Sequence, residues 1–246
     1  MRSFALTYPQ LMNQAITAGV DADMLARLRA AHELAERLGD GLYRPQGEPF
    51  LCHLVRTASI VLAEGQSLPV VQAALLHAAY SLRRRAGSGG ERGARRAALR
   101  RAAGPDVEEL VFAYDQLPWN SSAQLERHVE GFGGYDQTTR SVVLMRLANE
   151  LEDHLDRSAA YASTDLARRR LQCRDGCLAL ARAAGSSALV GELREAFDGQ
   201  CDPPLPAAVV IGRDQGYTVR GKRWPELPRL RRMTRDLARR MRRRSR

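Results

Sequence analysis

The stretch that decides the fold is Arg44-Pro45-Gln46-Gly47-Glu48-Pro49-Phe50-Leu51-Cys52-His53, followed by Leu75-Leu76-His77-Ala78, so that 23 residues separate the two histidines. Apolar residues dominate the segments around both histidines. The pattern predicts one helix over 53–63 and a second that begins at Pro69 and carries His77. Two histidines at this separation indicate adjacent helices whose imidazoles converge on one point.

Helical periodicity continues on both sides of this pair. It predicts a helix over 21–38, capped by Asp21 or Asp23, and a long helix over 138–155. Further helices are predicted over 92–103, 106–114, 165–184 and 187–197. Near the C-terminus, 209–211 and 217–219 flank Asp214-Gln215-Gly216, a pattern typical of a β-hairpin, and 226–244 has the spacing of a basic amphipathic helix. We therefore expect a mainly α fold with a short C-terminal hairpin and a basic helix.

The chain divides into three predicted parts: an N-terminal segment over 1–20, a helical domain over 21–198, and the hairpin with an arginine-rich tail over 199–246. With 246 residues, of which 44% are hydrophobic, the protein can bury one substantial core. No run of 18 apolar residues is present and the first residues have no apolar signal-peptide core. We expect a cytoplasmic protein without a transmembrane segment.

The net charge of +10 is concentrated in the tail. Residues 213–246 carry 14 basic and three acidic side chains, whereas the other 212 residues carry 24 basic and 25 acidic ones. The basic helix over 226–246 is therefore a candidate contact for a nucleic acid, an anionic membrane surface or an acidic protein. A solvated basic end is the alternative. No base-reading motif accompanies it, so sequence-specific recognition has no support.

The cysteines do not form a metal-binding pattern. Cys173 and Cys177 would share a helix face, but no second pair completes a zinc site with them, and Cys52 and Cys201 stand alone. All four are expected to be small apolar residues in a reducing compartment.

The opening stretch and several later segments resemble, in the same order, the hydrolase domain of the Rel/Spo alarmone family within the HD phosphohydrolase superfamily. Gly41, Arg44, 47–50 and His53 match its H-x-G-Q-x-R-x-S-G-E-P-Y-type pattern, and 75–77 match its L-L-H-D. Further matches to the family lie at 104–111, 143–151, 178–182 and 191–197. The resemblance covers about 20–198 and implies an HD-type helical bundle that stands alone, without the family's synthetase domain.

The departures from this family concern its metal centre. The resemblance implies manganese, or another divalent cation, held by two histidines and two aspartates. Here His53 and His77 remain, but the aspartate positions hold Ala78 and Asn149. The glutamate-aspartate pair that positions the attacking water is replaced by Ser81-Leu82. Because hard cations require anionic oxygen ligands to acidify bound water, ordinary hydrolysis of the alarmone ppGpp is not expected.

Other residues remain candidates for a changed site. Glu150, Glu152 and Asp153 follow Asn149, and of these Asp153 is expected to share its helix face while the two glutamates point elsewhere. In the family, the arginine at position 44 lies against the purine base of a nucleotide. Arg44 and Asp153 are therefore the candidate nucleotide-binding residues, although Arg44 could equally be kept for the loop geometry. His32, His128 and His154 match no ligand position and are expected to be solvated or capped.

Three functions follow as hypotheses. The first is a degenerate alarmone-hydrolase-like protein, a pseudoenzyme that binds a purine nucleotide, such as a guanine nucleotide, or another partner without cleaving it. The second is an active metal-dependent phosphohydrolase that uses His53, His77 and a new carboxylate. The third is a helical scaffold whose arginine-rich tail binds a polyanion.

Overall fold

The helix α3 (Phe50–Ala63) lies at the centre of the computed structural model, which describes residues 2–81, 90–119, 121–200 and 203–219. Every residue from His53 to Leu62 is buried. The helix is therefore covered on all sides, mainly by α4 (Leu68–Leu76) and α8 (Gln137–His154). A helix that is apolar nearly all round must lie inside the protein, which explains its central position.

The remaining elements surround these three helices. They are α1 (Tyr8–Thr17), α2 (Ala22–Gly39), α5 (Gly90–Ala103), α6 (Pro105–Gln116), α7 (Ser122–Gly131), α9 (Ser158–Ala162), α10 (Thr164–Leu171), α11 (Arg174–Ala183), α12 (Ser187–Gly199), the strands β1 (Leu42–Tyr43) and β2 (Tyr217–Thr218), and short 3-10 turns at Phe132–Gly134, Leu155–Arg157 and Ala207–Val209. The prediction of a mainly α protein is confirmed, and the arrangement is consistent with an HD-like helical bundle.

The predicted helices agree with α2, α3, α4, α5, α6, α8 and α12 to within a few residues. Asp21, not Asp23, caps α2, accepting a hydrogen bond from the backbone N–H of Met24 at 2.8 Å. The helix predicted over 165–184 is divided at Gln172 and Cys173 into α10 and α11. The sequence patterns missed α1, α7 and α9.

The predicted β-hairpin is wrong. β2 pairs antiparallel with β1, with Leu42 opposite Thr218 and Tyr43 opposite Tyr217. The two tyrosine rings stack with centroids 5.3 Å apart, so this pairing gains a side-chain contact that a local hairpin lacks. The segment over 209–211 instead leaves the turn at Ala207–Val209, and Ile211 donates its N–H to the carbonyl of Tyr161. The predicted basic helix over 226–244 lies outside the described residues.

Candidate functional site

A cavity of about 390 Å³ opens where α3, α4 and α8 approach the β1–β2 pair. Its wall brings together residues that are far apart in sequence, including His53, His77, Tyr114, Arg146, Asn149 and Arg170. This volume is within the range of small-ligand pockets, which starts at about 300 Å³. The predicted convergence of the two histidines therefore coincides with a pocket of ligand size.

The loop before α3 directs Arg44 into this cavity. Arg44 and Glu48 are joined by a backbone hydrogen bond of 2.9 Å, and Gly47 donates its N–H to the Arg44 carbonyl at 2.9 Å. Gly47 has a φ of +91°, a conformation that glycine adopts without strain. The turn ends at Pro49, the N-cap of α3, so His53 follows within the first turns of that helix. The loop and the helix thus present Arg44 and His53 to the same point.

The two histidines face each other through their Nε2 atoms, which are 3.2 Å apart. His77 donates its Nδ1–H to the carbonyl of Ala74 at 2.7 Å. In the neutral ring Nε2 then carries no proton and presents a lone pair. Burial and the neighbouring His53 lower the pKa of His77 to about 3. Two bare nitrogens at this distance would repel, so either a proton or a cation must lie between them.

Arg44 is the centre of a buried ion-pair cluster. Its guanidinium is 5% exposed and contacts the carboxylates of both Glu152 and Asp153. Glu152 also contacts His53 Nδ1, while Asp153 forms a second ion pair with Arg170 at 2.8 Å. The two guanidinium charges, of Arg44 and Arg170, therefore balance the two negative charges of Glu152 and Asp153.

The pKa values of the two carboxylates reflect this pairing. Burial acts to raise the pKa of Glu152, but Arg44 and His53 outweigh it and hold the pKa at about 2, below the ordinary 4.5. Burial opposes ionisation of Asp153 as well, yet Arg170 and Arg44 hold its pKa well below the usual range. Both carboxylates are thus charged at neutral pH because guanidinium groups, which never lose their proton, lie against them.

Arg56 extends the cluster toward the surface. Its guanidinium pairs with Glu48 and with Asp156, each at 2.8 Å, and lies 3.7 Å from Glu152. Asp156 and Arg157 lie in the 3-10 turn after α8, and both have positive φ values, 55° and 58°. Such backbone is uncommon for residues other than glycine, and the Asp156 side chain at this position pairs with Arg56.

Three of the predicted site residues, Ala78, Asn149 and Ser81, line the cavity. Ala78 is 5% exposed and its position lines the cavity beside His77. Asn149 also lines the cavity, and its amide donates to Asp153 over 3.5 Å. Ser81 lies at the cavity mouth and donates its hydroxyl to the Ala78 carbonyl. Leu82 lies outside the described residues.

These donors do not fit the manganese centre that the family resemblance implies. His53, Glu152 and Asp153 offer ligand atoms within 4.8 Å of one another, so a metal-binding cluster of this composition is conceivable from distances alone. Both carboxylates, however, are already paired with arginines, and the two positions that should add carboxylates hold a methyl group and an amide. At this point a hard divalent cation would meet two imidazoles and two carboxylates that arginines already engage.

The expectation that Glu152 points away from the site is wrong. Residues three apart in a helix share a face, just as residues four apart do. Glu152, three residues after Asn149, therefore lies on the same face as Asn149 and Asp153. Glu150 does point elsewhere: it accepts a hydrogen bond from Trp119 Nε1 at 3.0 Å, and burial raises its pKa to about 7.

The three other histidines are not solvated. His32, His128 and His154 are at most 8% exposed. His128 lies within 2.7 Å of both the Tyr135 hydroxyl and the Pro118 carbonyl, and His154 lies 3.1 Å from the Gln200 side chain. These contacts are internal to the helical core, so none of the three histidines reaches the cavity.

Sequence patterns did not indicate the contact between Arg146 and Tyr114. The Arg146 guanidinium lies over the Tyr114 ring, 3.8 Å from its centroid, and donates from Nη2 to the Tyr114 carbonyl at 2.5 Å. Both residues line the cavity. Since the contact joins α6 to α8 across 32 positions, no local pattern could reveal it.

Comparisons with known proteins place this chain only broadly. A family model described as a domain of unknown function, DUF6817, matches residues 34–118, which is less than half of the chain. No curated protein matches. One solved structure, of a metazoan ortholog of SpoT that hydrolyzes ppGpp and plays a role in starvation responses, aligns with 71% of this chain and 96% of that chain, at 18% identity and a TM-score of 0.49. At these values the likeness assigns no activity and no residue role to this chain.

A membrane-spanning role finds no support in the helices. In the part of the chain that the structure describes, none combines the length and the apolar character needed to cross a bilayer.

Proposed function

We propose that this protein is a degenerate HD-type domain that binds a phosphorylated purine nucleotide in the cavity beside His53 and His77 without hydrolysing it. The main support is the buried cluster in which Glu152 and Asp153 are neutralised by Arg44 and Arg170. Those carboxylates are engaged by the protein's own cations. Their charge is therefore not free to hold a metal ion.

Loss of hydrolysis follows from the chemistry of the remaining groups. A phosphohydrolase of this type needs a cation that lowers the pKa of a bound water and residues that direct the water at phosphorus. With Ala78 and Asn149 at the ligand positions and Ser81 in place of a carboxylate, neither requirement is met. Arg44 and Asp153 are the proposed contacts for the nucleotide, because both line the cavity that remains.

The test is titration calorimetry with guanosine tetraphosphate and GTP, with and without manganese, coupled to an assay of pyrophosphate release. We expect saturable binding of a nucleotide and no release above the rate without protein. Guanosine, which lacks phosphate, should bind more weakly than either nucleotide. If neither guanosine tetraphosphate nor GTP binds, the proposal is contradicted.

A pair of variants locates the binding. Ser81→Trp fills the mouth of the cavity from an exposed position, so it should abolish nucleotide binding while leaving the fold intact. Thr17→Trp, at an exposed position on α1 that does not line the cavity, is the matched control. Equal binding by both variants would place the ligand elsewhere.

A metal-dependent phosphohydrolase with a rearranged site is the second candidate. It is favoured by the histidine pair, because two nitrogens 3.2 Å apart match neighbouring ligands of a metal at about 2.1 Å, for which about 3.0–3.4 Å is expected. The Nδ1 contacts of His53 with Glu152 and of His77 with Ala74 are also of the kind that orient ligating histidines. Stoichiometric metal in the purified protein together with phosphate or pyrophosphate release would favour this candidate over the first.

A further inference from the structure

We propose that Arg146, lying on the ring of Tyr114, forms the subsite that holds a phosphoryl group of the ligand. This inference rests on the proposed function, because it requires that the cavity binds a phosphorylated molecule. It adds the position of the anionic end of that molecule. Arg146 belongs to the wall of the cavity on the side of α6 and α8, near His77 and Asn149.

Arg146 differs from the neighbouring arginines in its charge pairing. Within the described ranges no carboxylate forms an ion pair with it, whereas Arg44, Arg56 and Arg170, the other arginines of this region, each pair with at least one carboxylate. The Arg146 guanidinium is also half-buried, so water does not fully replace the missing anion. A partly desolvated cation without an anion is a binding site for one.

The hydrogen-bonding state of Arg146 leaves donors for a ligand. Nη2 donates to the carbonyl of Tyr114 and, at 3.4 Å, to that of Leu117. Nε is buried and makes no hydrogen bond among the described residues. Guanidinium groups offer five N–H donors in one plane, a geometry that matches the oxygens of phosphate. Stacking on Tyr114 and the two carbonyl contacts hold that plane in place, so little side-chain freedom would be lost on binding.

The lining of the cavity also offers groups for the other end of a nucleotide. Tyr43 and Phe50 both line the cavity, and Tyr43 is already stacked on Tyr217 of the C-terminal segment. Aromatic faces accept a purine ring by stacking. The cavity lining therefore supplies a guanidinium at Arg146 and aromatic faces at Tyr43 and Phe50.

The experiment compares wild type with Arg146→Gln, Arg146→Lys and Arg140→Gln by calorimetry, using inorganic pyrophosphate and GTP as separate ligands. Arg140 is a matched control because it lies on α8 as well, donates to two backbone carbonyls and rests over an aromatic ring, but does not line the cavity. Circular dichroism melting of each variant measures folding independently of binding.

We expect Arg146→Gln to weaken pyrophosphate binding about tenfold to hundredfold, the loss typical of a hydrogen bond to a charged group. Arg146→Lys keeps the charge and should fall between Arg146→Gln and wild type. It also serves as the test variant if the glutamine variant unfolds. Arg140→Gln should bind as wild type does.

Outcomes for this subsite and for the nucleotide-binding proposal can be told apart. If GTP binds wild type and the Arg146 variants equally well, the subsite is refuted while nucleotide binding stands. If GTP does not bind but pyrophosphate binds in an Arg146-dependent manner, the subsite stands and the purine proposal fails. Failure of wild type to bind either ligand overturns both.

Discussion

Replacing Arg44 with methionine tests whether the buried cluster is held together by that guanidinium. Arg44→Met keeps the length of the side chain but leaves Glu152 and Asp153 with one charge partner fewer each. Removing one partner of a buried ion pair typically costs about 3–5 kcal/mol. Here Glu152 retains His53 and a distant Arg56, and Asp153 retains Arg170, so the lower end of that range, about 3 kcal/mol, is expected.

The assay is urea unfolding followed by circular dichroism, together with thermal melting. For a chain of this length about 3 kcal/mol corresponds to a decrease in Tm of about 6–12 °C. Arg29→Met is the control, because the Arg29–Glu33 pair is exposed at 65% and 47% and should contribute less than about 1 kcal/mol. A loss no larger for Arg44→Met than for the control would refute the role given to the cluster.

The pH dependence of the same variant supplies a second check. In wild type the folded pKa of Glu152, about 2, is below its ordinary 4.5, so its contribution to stability is present above pH 4.5 and decreases as the pH falls toward 2. Without Arg44, burial raises the pKa of Glu152. The loss of stability relative to wild type is therefore largest at neutral pH, where the Glu152 carboxylate is charged. The difference between wild type and Arg44→Met should therefore narrow from pH 7 to pH 4. A difference independent of pH would contradict the electrostatic explanation.

Three further predictions concern other parts of the molecule. The double variant Ala78→Asp/Asn149→Asp adds two acidic side chains to the cavity wall, so manganese should bind at least about tenfold more tightly by calorimetry than to wild type; unchanged affinity would show that the absence of carboxylates at these positions is not the obstacle. Gly216→Ala places a Cβ 2.5 Å from a carbonyl oxygen of β1, so this variant should lower Tm by several degrees. Gly133→Ala has open space around the new Cβ and should leave Tm unchanged. Equal Tm values for the two variants would contradict the close packing of β2. Glu108→Gln removes a fully buried carboxylate that binds two arginines at 2.7 Å, and it should destabilise the protein by about 1.5–3 kcal/mol in urea unfolding at pH 7. The pKa of Glu108, about 2 against an ordinary 4.5, means that this loss should shrink as the pH falls below 4.5, and a constant loss would count against it.

The helical part of the fold was accessible from the sequence because its signals are local. Periodic apolar residues and caps such as Asp21 determine where a helix begins and which face it buries, and these are read within one segment. The meeting of His53 and His77 was also predictable, since two short helices joined by a tight turn must pack side by side.

The strand pairing and the arginine contacts were not accessible in this way. β1 pairs with β2 across 176 positions, and a two-residue strand carries too little pattern to indicate a partner at that distance. The position of Arg146 depends on carbonyls at the end of α6, so the lack of an ion pair to it within the described residues becomes visible only once α6 and α8 are packed together. Glu152 differs from these two, because helix geometry alone placed it on the face of Asn149.

The charges of the cavity also decide which kind of ligand suits it better. For a divalent cation to use Glu152 or Asp153, Arg44 would have to give up a buried ion pair, at a cost of about 3–5 kcal/mol, or two to four orders of magnitude in affinity. An anion at Arg146 breaks no ion pair within the described residues and supplies the charge that this guanidinium lacks. We therefore infer that Ala78 and Asn149, which supply no carboxylate, and Arg146, which has no ion pair within the described residues, act in the same direction and favour an anion over a cation.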